Sequence, residues 1–86
     1  MELHLRKDGL TWQVAGDAIV VLDLNGSVYL QLEDSGRLLW ERLAEGATAD
    51  DLAQVLVGEY GIEHELAAAD VGAFIEDLRG RNLLAD

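Results

Sequence analysis

The chain contains no cysteine, no proline and few cations. Without cysteine it has neither a disulfide nor a thiolate metal site, which suits a reducing compartment and is compatible with any other. With proline absent, no proline-rich linker divides it. No apolar run approaches the ~20 residues of a membrane span, and the N-terminal "MELHLRKDG" lacks the apolar core of a signal peptide. The expectation is a cytoplasmic protein without a membrane partner. Six Lys and Arg stand against seventeen Asp and Glu, a net charge of −11. From Glu41 to Asp77 the only basic residue among the charges is Arg42. Such a surface repels a phosphate backbone, whose binding depends on cations displacing counterions, so nucleic acid is excluded as a partner.

What is present is enough for one folded domain, residues 1–86. Half the residues are apolar and 27% are charged, a composition that folds rather than staying disordered. A chain of this size buries only roughly 60–65% of its unfolded surface, so its stability is modest. Three extended segments come first: an alternating Leu3–Leu5, then "LTWQVA" at 10–15, then "AIVVLDL" at 18–24, which turns through Asn25-Gly26 into "VYLQL". Asn-Gly is a strong hairpin signal, and Lys7-Asp8-Gly9 and Gly16-Asp17 mark the earlier turns. Together these segments predict a small antiparallel sheet.

From Asp34 the period becomes helical. Leu39 and Leu43 lie four apart with Trp40 on the adjoining flank, and Gly46 ends the segment. Thr48-Ala49-Asp50-Asp51 is a helix start of the Ser/Thr-x-x-Asp/Glu type. Leu52, Leu56 and Tyr60 follow as a stripe, and Gly61 is a stop. A third helix runs from about Glu65 to Arg79, with Val71, Phe74, Ile75 and Leu78 at helical spacing and Gly80 as the C-cap. The terminal "NLL" is apolar and predicted to fold back on the body. Strands precede helices throughout, so the class is α+β.

Chemistry is thin along this chain. Thr48 is accounted for as a cap, and Ser35 lies in a helix's first turn. The histidines are His4 and His64; with no Cys partner they make a poor metal site. Glu63 and Glu65 adjoin His64, but helix neighbours one apart do not face each other. Asp50-Asp51 reads as a first-turn dipole feature rather than a carboxylate dyad, and the nine glycines form no phosphate-binding loop. No catalysis, metal or cofactor is expected.

The run "GSVYLQLEDSGRLLWERLAEGATADDLAQVLVGEYG", followed by "DVGAFIEDLRGRNLL", resembles the PqqD-like family of peptide-recognition elements from ribosomal natural-product pathways. The pieces that carry the likeness are an aromatic-containing strand ending in Leu32, Gly36 and Trp40 in the first helix, and Gly46-Ala47-Thr48 opening the second. Tyr60 near that helix's end, Asp70-Val71, Phe74, Leu78 and the terminal Leu83-Leu84 complete it. No single motif is invariant; the specificity lies in the sum. The resemblance implies a winged-helix-like fold of a three-stranded antiparallel sheet followed by three helices, and a non-catalytic domain. It implies binding of the leader segment of a precursor peptide, added as a strand to "VYLQL" in the cleft against the third helix. A free-standing copy of this length looks like the leader-binding protein of lasso-peptide pathways, which works with a separate leader peptidase and a separate cyclase.

Under that reading the partner contacts are Val28, Tyr29, Leu30, Gln31 and Leu32 on the strand and Ala67, Asp70, Val71, Phe74 and Leu78 on the third helix. Strand addition gains selectivity from side-chain pockets and guidance from main-chain hydrogen bonds. Ordering about six guest residues costs on the order of 6–12 kcal/mol, while roughly four hydrogen bonds return only about 2–6 kcal/mol. Buried anchors must supply the rest, so the site needs an apolar floor. Val28, Leu30 and Leu32 form one wall; Val71, Phe74 and Leu78 form the other. Ala67 leaves room for a guest side chain, and Asp70 accepts a guest hydroxyl or pairs with a cation. Each has a plainer reading: Phe74, Leu78 and Leu32 as ordinary core, and Asp70, Tyr29 and Gln31 as solvated surface.

Three alternatives stand beside it. A winged-helix DNA regulator fails on charge, because "TADDLAQVLVGEY" offers one Gln and three acids where base and phosphate readers need cations and amides. A leader-binding subunit serving a radical SAM enzyme shares the fold and binding mode. An adaptor for another extended peptide would use the same edge.

Overall fold

The computed structural model describes residues 2–25 and 28–85. In chain order it contains β1 (Glu2–Leu5), β2 (Leu10–Ala15), β3 (Ala18–Asp23), β4 (Val28–Leu32), α1 (Asp34–Ala44), β5 (Ala47–Thr48), α2 (Ala49–Tyr60), α3 (His64–Gly80) and β6 (Leu84–Ala85). Strands β2, β3 and β4 form an antiparallel sheet in that order, and the three helices follow. The predicted Asn25-Gly26 turn rests partly on Gly26, which lies outside the described residues with Ser27; the side chain of Val28 does too.

Register sorts the sheet into rows. Trp12 pairs with Val21 and Val21 with Leu30; Val14 pairs with Ile19 and Ile19 with Leu32. These rows face the helices, and Ile19 and Val21 are buried in the core. The opposite face carries the rows Thr11–Leu22–Tyr29 and Gln13–Val20–Gln31. The strand "VYLQL" therefore alternates: Leu30 and Leu32 are half-buried, while Tyr29 and Gln31 are exposed.

The first extended segment does not join this sheet. β1 pairs with β5 on one side (Glu2 with Thr48) and with β6 on the other (Leu5 with Leu84). Its partners lie more than forty residues away, where no local spacing reports them. The tail folds back as expected, with Leu83 and Leu84 buried. Arg6 ties the two sheets together. Its guanidinium donates to the Asp23 carboxylate at the end of β3, to the Asn82 carbonyl at 2.7 Å and to the Asp8 carbonyl at 3.0 Å. Asp23 is buried, and a charge taken that far from water persists because it is paired and hydrogen-bonded.

Thr48 and Asp51 close a reciprocal capping box at the start of α2. The Thr48 hydroxyl accepts the Asp51 N–H at 3.0 Å, and the Asp51 carboxylate accepts the Thr48 N–H at 3.0 Å. At the other end Gly61 donates its N–H to the Val57 carbonyl at 2.9 Å. Before the box, Gly46 sits at φ +88, a conformation that strains any residue with a Cβ. The expected cap at Gly80 is corrected. α3 runs through Gly80, and Asn82 takes the left-handed turn at φ 61. Leu83 donates to Leu78 at 3.0 Å and Asn82 to Arg79 at 3.0 Å, a Schellman closure with Asn in glycine's usual place. Buried Leu78 and Leu83 supply its apolar contact.

Trp40 is fully buried at the centre, more deeply than a flank position suggests. It meets Trp12 edge-to-face, with ring centroids 5.6 Å apart and planes at 82°, the arrangement aromatic quadrupoles favour. Leu39, Leu43, Leu52, Leu56, Val71, Ile75 and Leu78 complete the core.

Candidate functional site

β4 is an edge strand: β3 occupies one side, and no strand pairs with the other among the described residues. Its outward backbone N–H and C=O groups form a template for another extended chain. Residues 28–32 carry no charge and no proline to block such pairing.

Beside this edge, β4 and α3 meet over α1. A Cβ placed on Gly36 would lie 3.3 Å from Leu32 Cδ2 and 3.9 Å from Phe74 Cε1. Leu30, Leu32 and Phe74 all pack on the core yet stay partly open. They form an apolar floor beside the open strand.

The helical wall is narrower than the sequence implies. Ala67, Val71 and Leu78 are 0%, 1% and 0% exposed; in this conformation they present no side-chain surface to a guest and instead hold α3 against the core. Phe74 and Asp70 are the members of the expected wall that remain accessible.

A pocket of about 410 Å³ continues from Asp70, one helical turn before Phe74. Leu56, Ile62 and Leu66 line it, with Tyr60 beside them, and Asp34 and Ser35, just beyond β4, close the near side. The sequence places Tyr60 in the stripe of α2 and does not single out Leu66; they are 48% and 53% exposed. Their signal was position: Tyr60 is the last residue of α2 and Leu66 lies in the first turn of α3. A larger hollow of about 770 Å³ lies around His4, Arg6, Lys7 and Asn82; none of the expected site residues lines it.

His64 is exposed and pairs at 3.2 Å with Asp50 rather than with either adjacent glutamate. Among the described residues no cluster of His, Asp and Glu is arranged to hold a metal ion, and no helix is long and apolar enough to cross a membrane. Asp51 is held below the ordinary aspartate range, first by the Thr48 backbone N–H and then by the Thr48 side chain. Its shift belongs to a helix cap, so it marks no catalytic acid.

Comparison with known proteins follows this geometry. No curated protein matches the sequence. The solved structure "Lasso peptide synthetase B1 complexed with the leader peptide" is 29% identical, covers 100% of both chains and superposes with a TM-score of 0.87. "TbiB1 in Complex with the TbiA(beta) Leader Peptide" is 25% identical over 93% of this chain and 96% of that one, with a TM-score of 0.85. The profile of the family described as coenzyme PQQ synthesis protein D (PqqD) matches residues 18–84. The chain belongs to the PqqD family.

Proposed function

We propose that this protein binds the leader segment of a ribosomally made precursor peptide, of the lasso class, as an added strand on β4. One observation carries the reading: an uncharged, open edge strand runs beside the half-buried Leu30, Leu32 and Phe74. Two structural relatives covering 93–100% of this chain, each named for its complex with a leader peptide, support it. Guest backbone groups pair with β4, and guest side chains on the helix-facing side settle on that apolar floor. Tyr29, Gln31 and Asp70 flank the guest, while buried Val71, Leu78 and Ala67 set the position of α3 behind it. The protein itself makes and breaks no bond; it delivers the peptide to a separate leader peptidase, with a cyclase acting afterwards.

Delivery needs a surface for the enzyme, and the sheet's outer face suits that role. Its rows, Thr11–Leu22–Tyr29 and Gln13–Val20–Gln31, hold no charged residue in a chain of net charge −11. Leu22 and Tyr29 are 41% and 61% exposed. A guest strand on β4 extends this face, so an enzyme docked there touches carrier and peptide together.

The test is a fluorescence-polarisation titration with labelled leaders of precursor peptides encoded beside this gene, against scrambled leaders. Saturable binding lost on scrambling is the expected result. If the folded protein binds none of them, the leader reading is wrong and an adaptor role replaces it. A radical SAM enzyme encoded next to the gene, in place of a peptidase and cyclase, would assign the leader to quinone-cofactor synthesis.

A further inference from the structure

Among the described residues the sheet has a second open edge. Strand β2 lies at the opposite end from β4, and Thr11 through Ala15 are all exposed. The six residues Leu10–Ala15 contain neither a charge nor a proline, the devices that usually keep an edge from pairing. Trp12 and Val14 are 39% and 63% exposed on the helix-facing side, a large apolar area to leave in water at a sheet edge.

We propose that β2 pairs antiparallel with β2 of a second copy of this chain, about a two-fold axis at Gln13. Antiparallel partners share a sheet face only if their numbers have the same parity. Centring on Gln13 sets Trp12 opposite Val14 of the other copy, and the symmetry repeats that pair. An aromatic residue opposite a β-branched one is a favourable cross-strand combination. The same register carries Asp17 of each copy to the Lys7–Asp8–Gly9 turn of the other. Lys7 is exposed and makes no ion pair within the chain among the described residues, so it is available to that carboxylate. The uncharged strand is also where two copies of net charge −11 can approach closely.

The dimer is a continuous six-stranded sheet with a β4 edge free at each end. It presents two peptide sites, and its formation does not depend on what those sites bind. One short strand pair makes the association weak and concentration-dependent.

Sedimentation velocity on the intact protein, from micromolar to millimolar at moderate salt, tests this. Salt screens the repulsion between the copies. A monomer–dimer equilibrium is expected. Val14→Lys, at an exposed position, should raise the dissociation constant by more than about tenfold, with circular dichroism showing the fold intact. Tyr29→Lys on the other edge should leave it unchanged. Lys7→Glu should weaken the dimer, and adding Asp17→Lys should restore it. A monomer throughout the series overturns the proposal. So does a dimer that survives Val14→Lys and is lost with Tyr29→Lys, because pairing would then run through β4.

Discussion

Leu32 of β4 and Phe74 of α3 converge on one point beside α1, where Gly36 has no side chain: a Cβ there would lie 3.3 Å from the first and 3.9 Å from the second. Nothing else on Gly36 separates strand from helix at the floor of the site. Gly36→Ala should fold, since alanine favours the helix by about 1 kcal/mol and Leu32 need yield only slightly. Gly36→Leu should fill the cleft and weaken leader binding at least about tenfold, a change of roughly 1.4 kcal/mol. Normal affinity in a folded Gly36→Leu protein would place the guest elsewhere.

Phe74 is half-buried in the proposed helical wall, and Asp70 is an exposed neighbour one turn away. Phe74→Ala should cost roughly 1.5–3 kcal/mol of binding, the usual value of one buried apolar anchor. Asp70→Lys should cost less, because an exposed charge is screened. Titration calorimetry with the same leader ranks the two; the opposite order would make Asp70 a buried contact in the complex.

Alternation of hydrogen bonds along β4 makes a proline pair informative. In an antiparallel strand one residue's N–H serves the neighbouring strand and the next one's serves the open side. Of Tyr29→Pro and Leu30→Pro, one should destabilise the sheet by breaking a bond to β3. The other should melt near the wild-type temperature yet lose leader binding. Two variants that melt normally and bind normally would refute strand addition.

On the outer face, Leu22 is 41% exposed and sits opposite Tyr29. Leu22→Asp should leave leader affinity unchanged, because the proposed mode pairs the guest with the β4 backbone. Cleavage of the bound leader by the peptidase should fall at least about tenfold, because a desolvated charge would enter that interface. Equal cleavage rates for Leu22→Asp and wild type would move the enzyme's docking surface off this face.

The capping box of α2 has a pH signature. Thr48→Ala should cost about 1 kcal/mol. Hydrogen bonds from Thr48 hold the Asp51 carboxyl below its ordinary value, so the unfolded chain takes up that proton at higher pH than the folded one. Asp51's contribution is therefore present above the ordinary aspartate range and is lost as pH falls through its lowered folded value. Denaturant midpoints of wild type and Asp51→Asn should converge on acidification. A gap constant down to strongly acidic pH would mean that the box does not stabilise the helix through the charge.

The sequence by itself determined every feature written in neighbouring residues. The inward set of Leu30 and Leu32, the Thr48–Asp51 box, the stop at Gly61 and the leucine stripes of the helices all depend on spacings of two to eight residues. That residues 28–32 carry no charge was legible too; that β4 lies at an edge was implied only by the family resemblance. Only the tertiary structure decided which apolar residues of α3 stay accessible. Val71, Phe74 and Leu78 share one helical spacing, yet Val71 and Leu78 are sealed by the core while Phe74 opens beside Gly36. The pairing of β1 with β5 and β6, and the meeting of Asp23, Asn82 and Arg6, join positions up to 81 residues apart, from His4 to Ala85. Tyr60 continues the stripe of α2 yet stays half-exposed at the helix end. Periodicity names the face a residue points to; burial depends on what the rest of the chain places against that face.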